Sequence, residues 1–149
     1  MEKFKDIIRQ TITAIKQFTE IEQTKLNAAA ESSLTTIESC MTKEQAMVLR
    51  MRGLDNERNK WQNDNGYGGL TFRQMLDKVT PEEKTELEPL FNELSESIKL
   101  FQDVRKGAEQ IIRTNLYVVN KKLEQQGRGY NKDGSSSMLK DGHLTDRKA

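Results

Sequence analysis

Apolar residues recur every three or four positions along almost the whole chain up to Leu123, a period that only helices can bury on one side. From Glu2 to about Ala29 they are Phe4, Ile7, Ile8, Ile12, Ile15, Phe18, Ile21 and Leu26, with charged and amide residues opposite. Such a helix is roughly 40 Å long at about 1.5 Å per residue. In the following NAAAESS, the alanines can continue a helix, whereas Ser32 and Ser33 offer the hydroxyl of an N-cap. A turn near Ala30–Ser33 is expected, one continuous helix being the alternative.

A second helix is expected from Leu34 to about Gln62. Ile37, Cys40, Met47, Met51, Leu54 and Trp61 form a heptad-like seam, with Glu44 and Arg58 filling its polar gaps. Cys40 reads there as a small core residue before a redox thiol. NDNGYGG, from Asn63 to Gly69, stops the helix with residues that tolerate positive φ. Thr71 and Gln74 form a capping box for a short helix, TFRQMLDKV. Thr80, Pro81, Glu82 and Glu83 start the last helix with a cap, a proline at its first position and acids in its first turn. Its apolar positions run from Leu87 to Leu123, with a kink or local break expected at Pro89 and a weak point at Gly107. No strand alternation occurs. The fold class is all-α, an antiparallel bundle of three long helices plus one short helix over residues 1–126, with a flexible C-terminal tail over 127–149.

The 149 residues suffice for one core. Twenty-four basic against 23 acidic side chains leave no single-sign field for nucleic acid or an anionic membrane. The seven basic and four acidic residues from Lys121 onward are too weak a bias to change that. A single cysteine excludes an internal disulfide framework, no apolar run approaches a membrane span, and the charged start MEKFKDIIRQ lacks the apolar centre of a secretory signal. A cytoplasmic protein is expected.

Reactive groups do not converge in the sequence. The one histidine, His143, falls in the tail, so neither a His-based metal site nor a bundle phosphotransfer domain is expected. The glycines at 66, 68 and 69 lack the strand and the Gly-Lys-Ser/Thr of a phosphate loop. Trp61 stands where a calcium loop needs its first carboxylate. Carboxylate pairs such as Glu82/Glu83 read as a solvated helix face. No enzyme activity, metal or cofactor is expected.

Surface remains. On a helical wheel Val104, Ala108, Ile111, Ile112, Leu116, Val118, Val119 and Leu123 cover an arc of roughly 160°, broader than docking on one neighbour requires. A last helix continuous to Leu123 would be about 60 Å long and would overhang the shorter pair with apolar surface uncovered. The alternative is that the arc packs against both other helices inside the bundle. Asn115 on the same arc needs a partner or an edge. The candidate partner-binding residues are Ile111, Ile112, Leu116, Val119 and Leu123.

The chain also resembles a known family. KEQAMVLRMRGLDNERNKW, GYGGLTFRQML, PEEKTEL, the ladder IIRTNLYVVNKKL and the ending YNKDGSSSMLKDGHLTDRKA are similar to the FlgN family of flagellar type III export chaperones. The tail carries the more specific match: a tyrosine with a glycine four residues on, a small-residue stretch and a closing Asp-Arg-x-Ala. Gly107 and Gln110 depart from the pattern, standing where many members have asparagines. The resemblance implies a cytoplasmic, non-catalytic protein that binds the C-terminal amphipathic helical segments of the hook-filament junction (hook-associated) proteins. Binding would prevent premature assembly and deliver these proteins to the export apparatus. It further implies that Tyr130 docks on the cytoplasmic domain of the export gate. By composition alone residues 127–149 read as a solvated end; with the resemblance they read as a docking peptide, or as a segment that folds back over the arc when cargo is absent. The competing reading is a structural or regulatory coiled-coil protein that self-associates through the same arc, with no export role.

Overall fold

The computed structural model describes residues 1–125, and for 116, 118–120 and 122–125 the backbone alone. Four helices follow in order: α1 (Glu2–Ala30), α2 (Leu34–Asp64), α3 (Phe72–Lys78) and α4 (Pro81–Gln125). No strand occurs among the described residues. α1 packs against both α2 and α4, and α3 against α4. Phe4 meets Trp61 and Lys25 meets Glu44, so α2 runs antiparallel to α1. Phe4 meets Phe91 and Phe18 meets Phe101, so α4 returns parallel to α1. The three long helices thus form an up-down-up bundle.

The turn between α1 and α2 falls at Glu31–Ser33, and the continuous-helix alternative is excluded. Ser33 N–H donates to the Ala28 carbonyl (2.9 Å) and Ser32 N–H to that of Ala29 (3.2 Å), closing the end of α1 as a Schellman motif. The motif needs a left-handed residue, and Ser32 supplies it at φ 58°. Ser33 occupies the N-cap of α2 as expected, but its hydroxyl donates to Thr36 Oγ1 (3.0 Å) and accepts no backbone N–H. The Gly66 and Gly69 turns do take positive φ, 82° and 74°.

Both later caps form as the sequence dictates. Gln74 N–H donates to Thr71 Oγ1 (3.2 Å) while Gln74 Oε1 accepts from Thr71 N–H (2.9 Å). Thr80 and Glu83 repeat that box at the start of α4, at 3.2 and 3.1 Å. α4 then runs without a break through Pro89 and Gly107. The local break expected at Pro89 does not occur: the proline is exposed, as is Thr85, whose carbonyl it cannot pair, and buried Leu87 and Phe91 lie on either side.

The core is made by Phe4, Ile8, Ile12, Ile15 and Phe18 of α1 with Met75 and with Leu87, Phe91, Leu94 and Phe101 of α4. The α1 stripe holds as far as Phe18. Beyond it Ile21 and Leu26 are half-buried, and Glu22 is the residue fully enclosed.

Candidate functional site

α4 has 45 residues against 29 in α1. The register between them is fixed by Asn115, whose Nδ2–H donates to the carbonyl of Ala29 at 2.6 Å. That carbonyl already belongs to the Schellman cap, so a side chain of α4 and the backbone of the turn close the end of α1 together. Asn115 therefore has the partner its place on the arc demanded. α4 continues from Asn115 to Gln125, 125 − 115 = 10 residues past the end of α1. That overhang is about 15 Å of helix.

Along α4 the burial declines toward this end. Phe101 and Ala108 are buried, Ile111, Ile112 and Asn115 half-buried, and Tyr117 exposed, with the Lys121 ammonium 5.8 Å from its ring centre. Ile111 and Ile112 lie where α4 leaves the hairpin. Leu116, Val119 and Leu123 are on the overhanging turns, and for these three the backbone alone is described. Tyr130 lies outside the described residues, as do the expected tail and the boundary at 126/127.

A second feature lies between α2 and α4, where the two helices stand apart over α1. The groove there holds about 350 Å³. Ile8, Ile15 and Phe18 form its floor, Met51 and Leu54 one wall, and Leu94, Ile98 and Phe101 the other. Asp55, Arg58 and Gln102 supply polar groups at its margin. Arg58 Nη2 donates to Asp55 Oδ1 at 2.9 Å, its Nη1 donates to Gln62 Oε1, and its guanidinium lies 5.6 Å from the Phe72 ring centre. Gln62 is 2% exposed, and its Nε2 donates to the Tyr67 and Leu70 carbonyls, both at 3.2 Å. The glycine turn, the arginine and the groove end are therefore one hydrogen-bonded unit. The polar gap at Arg58 in the heptad seam is the signal that sequence reasoning had in hand. The groove itself carried none, because it is a separation between helices and not a motif.

The other polar gap, Glu44, faces a buried carboxyl. Glu22 is wholly enclosed, with Lys25 Nζ 3.9 Å from one oxygen, while the same ammonium lies 3.2 Å from both oxygens of Glu44. Burial, then a hydrogen bond with Glu44, pushes the Glu22 carboxyl up to about 8. No oxygen of Glu22 accepts a hydrogen bond. A proton on Glu22 donated to Glu44 reconciles these facts, since two adjacent carboxylates cannot both ionise cheaply. Cys40 is buried nearby, and desolvation raises its thiol above the ordinary value, which fits a packing residue and not a redox thiol. Among the described residues no group of His, Cys, Asp and Glu could hold a metal ion, and no helix is long and apolar enough to cross a membrane.

These features define an all-α bundle protein whose longest helix outruns its neighbours beside an open apolar groove. The family model described as FlgN protein matches residues 1–137, and the chain belongs to that family of flagellar export chaperones. No curated protein and no solved structure matches the chain.

Proposed function

We propose that this protein is a cytoplasmic chaperone that binds the C-terminal amphipathic helical segments of hook-filament junction (hook-associated) proteins, prevents their premature assembly and delivers them to the flagellar type III export apparatus. The observation that carries the proposal is the overhang of α4 beyond Asn115, on which Leu116, Val119 and Leu123 of the candidate residues fall. A cargo helix would lay its apolar stripe on Ile111, Ile112, Leu116, Val119 and Leu123, the helix-in-groove mode of recognition. The cargo stripe is then withheld from its assembly partner by the same contacts that bind it. Tyr130, in the tail that follows α4, would dock on the cytoplasmic domain of the export gate. No catalytic step is needed: capture and release are both differences in binding free energy.

Calorimetry with a peptide spanning the C-terminal helical region of a junction protein tests this, beside the double variant Ile112→Asp/Val119→Asp. Binding by the wild type with a negative heat-capacity change, abolished in the variant while helicity persists, is the expected result. Absence of binding by the wild type would remove the proposal. A stable homodimer in sedimentation that the same double variant dissolves would instead support self-association.

A further inference from the structure

The groove and the overhang share one face of α4. At roughly 100° per residue, Ile98, Arg105, Ile112 and Val119 lie seven apart on a single row. Ile98 lines the groove beside α2, and Ile112 stands at the base of the overhang. The neighbouring row Phe101, Ala108 and Asn115 turns toward α1, where Phe101 meets Phe18 (4.5 Å) and Asn115 meets Ala29. On the opposite side of the Ile98 row, away from α1, stand Lys99, Lys106 and Arg113, again seven apart. All three are exposed, and none has an ion-pair partner among the described residues. The acids Glu96 and Asp103 lie a further step round the helix. An apolar track, interrupted at Arg105, thus runs from the groove to the overhang beside a basic row of matching period.

We infer that groove and overhang form one track for a single partner helix, and that the partner carries acidic residues at seven-residue intervals along the flank facing Lys99, Lys106 and Arg113. The inference rests on the proposed capture of helical cargo and adds the length and charge pattern of what is captured. From Leu94 to Leu123 the track is about 44 Å, or roughly 30 residues of helix. Seated there, the partner covers the groove left between α2 and α4 and makes the three long helices a bundle of four. Midway it passes Arg105 and its partner Glu109 (3.4 Å), the one charged step in the apolar row. Unpaired exposed cations on the edge of an apolar track add little to affinity singly, but they set register and reject helices of the wrong flank.

The test uses two designed helical peptides of about 30 residues with the same apolar heptads, one bearing Glu and the other Lys at the flanking positions, and reads binding by fluorescence anisotropy. The Glu peptide should bind about tenfold more tightly at low salt, and Lys99→Glu/Lys106→Glu/Arg113→Glu should reverse the order. The milder triple change to Gln should abolish the preference without reversing it. A Glu peptide cut to its overhang half should bind at least about tenfold more weakly than the full length. Equal binding of the two full-length peptides, or of full-length and cut peptides, overturns the inference. The junction-protein segment is measured beside them. If it binds and is lost in Ile112→Asp/Val119→Asp but is indifferent to the triple reversal, the chaperone proposal stands and this inference falls. If the segment never binds while the Glu peptide does, the acidic-helix track stands and the cargo is another protein.

Discussion

Where α1 begins, aromatic rings close around it; where it ends, alanines, a buried glutamate and one amide do the same task. At the first end Phe4 touches Trp61 (4.8 Å), Phe91 (6.1 Å) and Phe72 (6.2 Å), and Phe72 stacks on Phe91 at 4.3 Å. Lys5 is buried there too, but it is neutralised by Glu2 and Glu86. At the other end Ala28, Ala29, Cys40 and Ala108 let the backbones approach, and Glu22, Lys25, Glu44 and Asn115 carry the polar contacts. Large rings bury much apolar area and fix one packing; small residues bury little and leave α4 free to serve something else. The difference teaches a division of labour. One end holds the fold, and the other is where the longest helix leaves it.

The largest effect should come from Phe4→Ala. Phe4 is fully buried and meets rings of α2, α3 and α4, so the truncation should cost about 3–5 kcal/mol, read as a lower denaturant midpoint. A loss under about 1 kcal/mol would show that the aromatic end does not carry the stability assigned to it.

Glu22→Gln sharpens the other side of the comparison. The folded state raises the Glu22 pKa from 4.5 to about 8. Between those values the native protein holds a proton that the unfolded chain has released, so stability falls as pH rises from about 4.5 to about 8 and levels off above. Glutamine keeps the donor toward Glu44 without titrating. The variant should therefore flatten that slope and be more stable at pH 8 by on the order of 2 kcal/mol. Urea unfolding across this range checks it. A wild-type curve with the same slope as the variant would mean that Glu22 is ionised and solvated.

These two residues also show how far a sequence can be read. Phe4 sits on a stripe whose period declares its burial, and the Thr71 and Thr80 boxes declare themselves through side chains three residues apart. All of these depend on neighbours within one or two helical turns. Glu22 and Glu44 meet across two helices. The sequence marked Glu44 as a polar gap in a seam, but the α1 stripe was credited to Ile21 and Leu26 while Glu22 took the buried place. The local break expected at Pro89 did not form for a related reason: a proline's effect depends on whether its face meets water or core, which is a tertiary fact. Of the candidate site, the arc and the need of Asn115 for a partner were legible from the wheel. The groove was not, since it arises from the spacing of α2 and α4, and neither was the identity of that partner, a carbonyl 86 residues away.

Asn115→Ala probes the junction between the two regions. It removes one bond to Ala29, whose carbonyl keeps the Ser32 N–H at 3.2 Å, so the global cost should be only about 1 kcal/mol. The local effect should be larger. Amide exchange at Ser32 and Ser33, whose N–H groups close the cap, should quicken while exchange around Phe4 is unchanged. Equal quickening at both ends would erase the distinction between them.

The smallest change tests whether looseness at the far end is required. Gly107 lies in α4 beside Ala108, its φ is not positive, and a methyl group added there would meet nothing within 4 Å. Nothing in the fold therefore needs a glycine, and Gly107→Ala should raise stability by about 0.5–1 kcal/mol through helix propensity and a less free unfolded chain. The same substitution at Gly53 in α2, equally unobstructed, is the control for propensity alone. If both variants are stabilised but only Gly107→Ala changes cargo-peptide affinity, the glycine serves as a flex point that lets the overhang adjust to its partner. If neither changes affinity, the overhang acts as a rigid extension of the bundle, and the contrast between the two ends is one of packing alone.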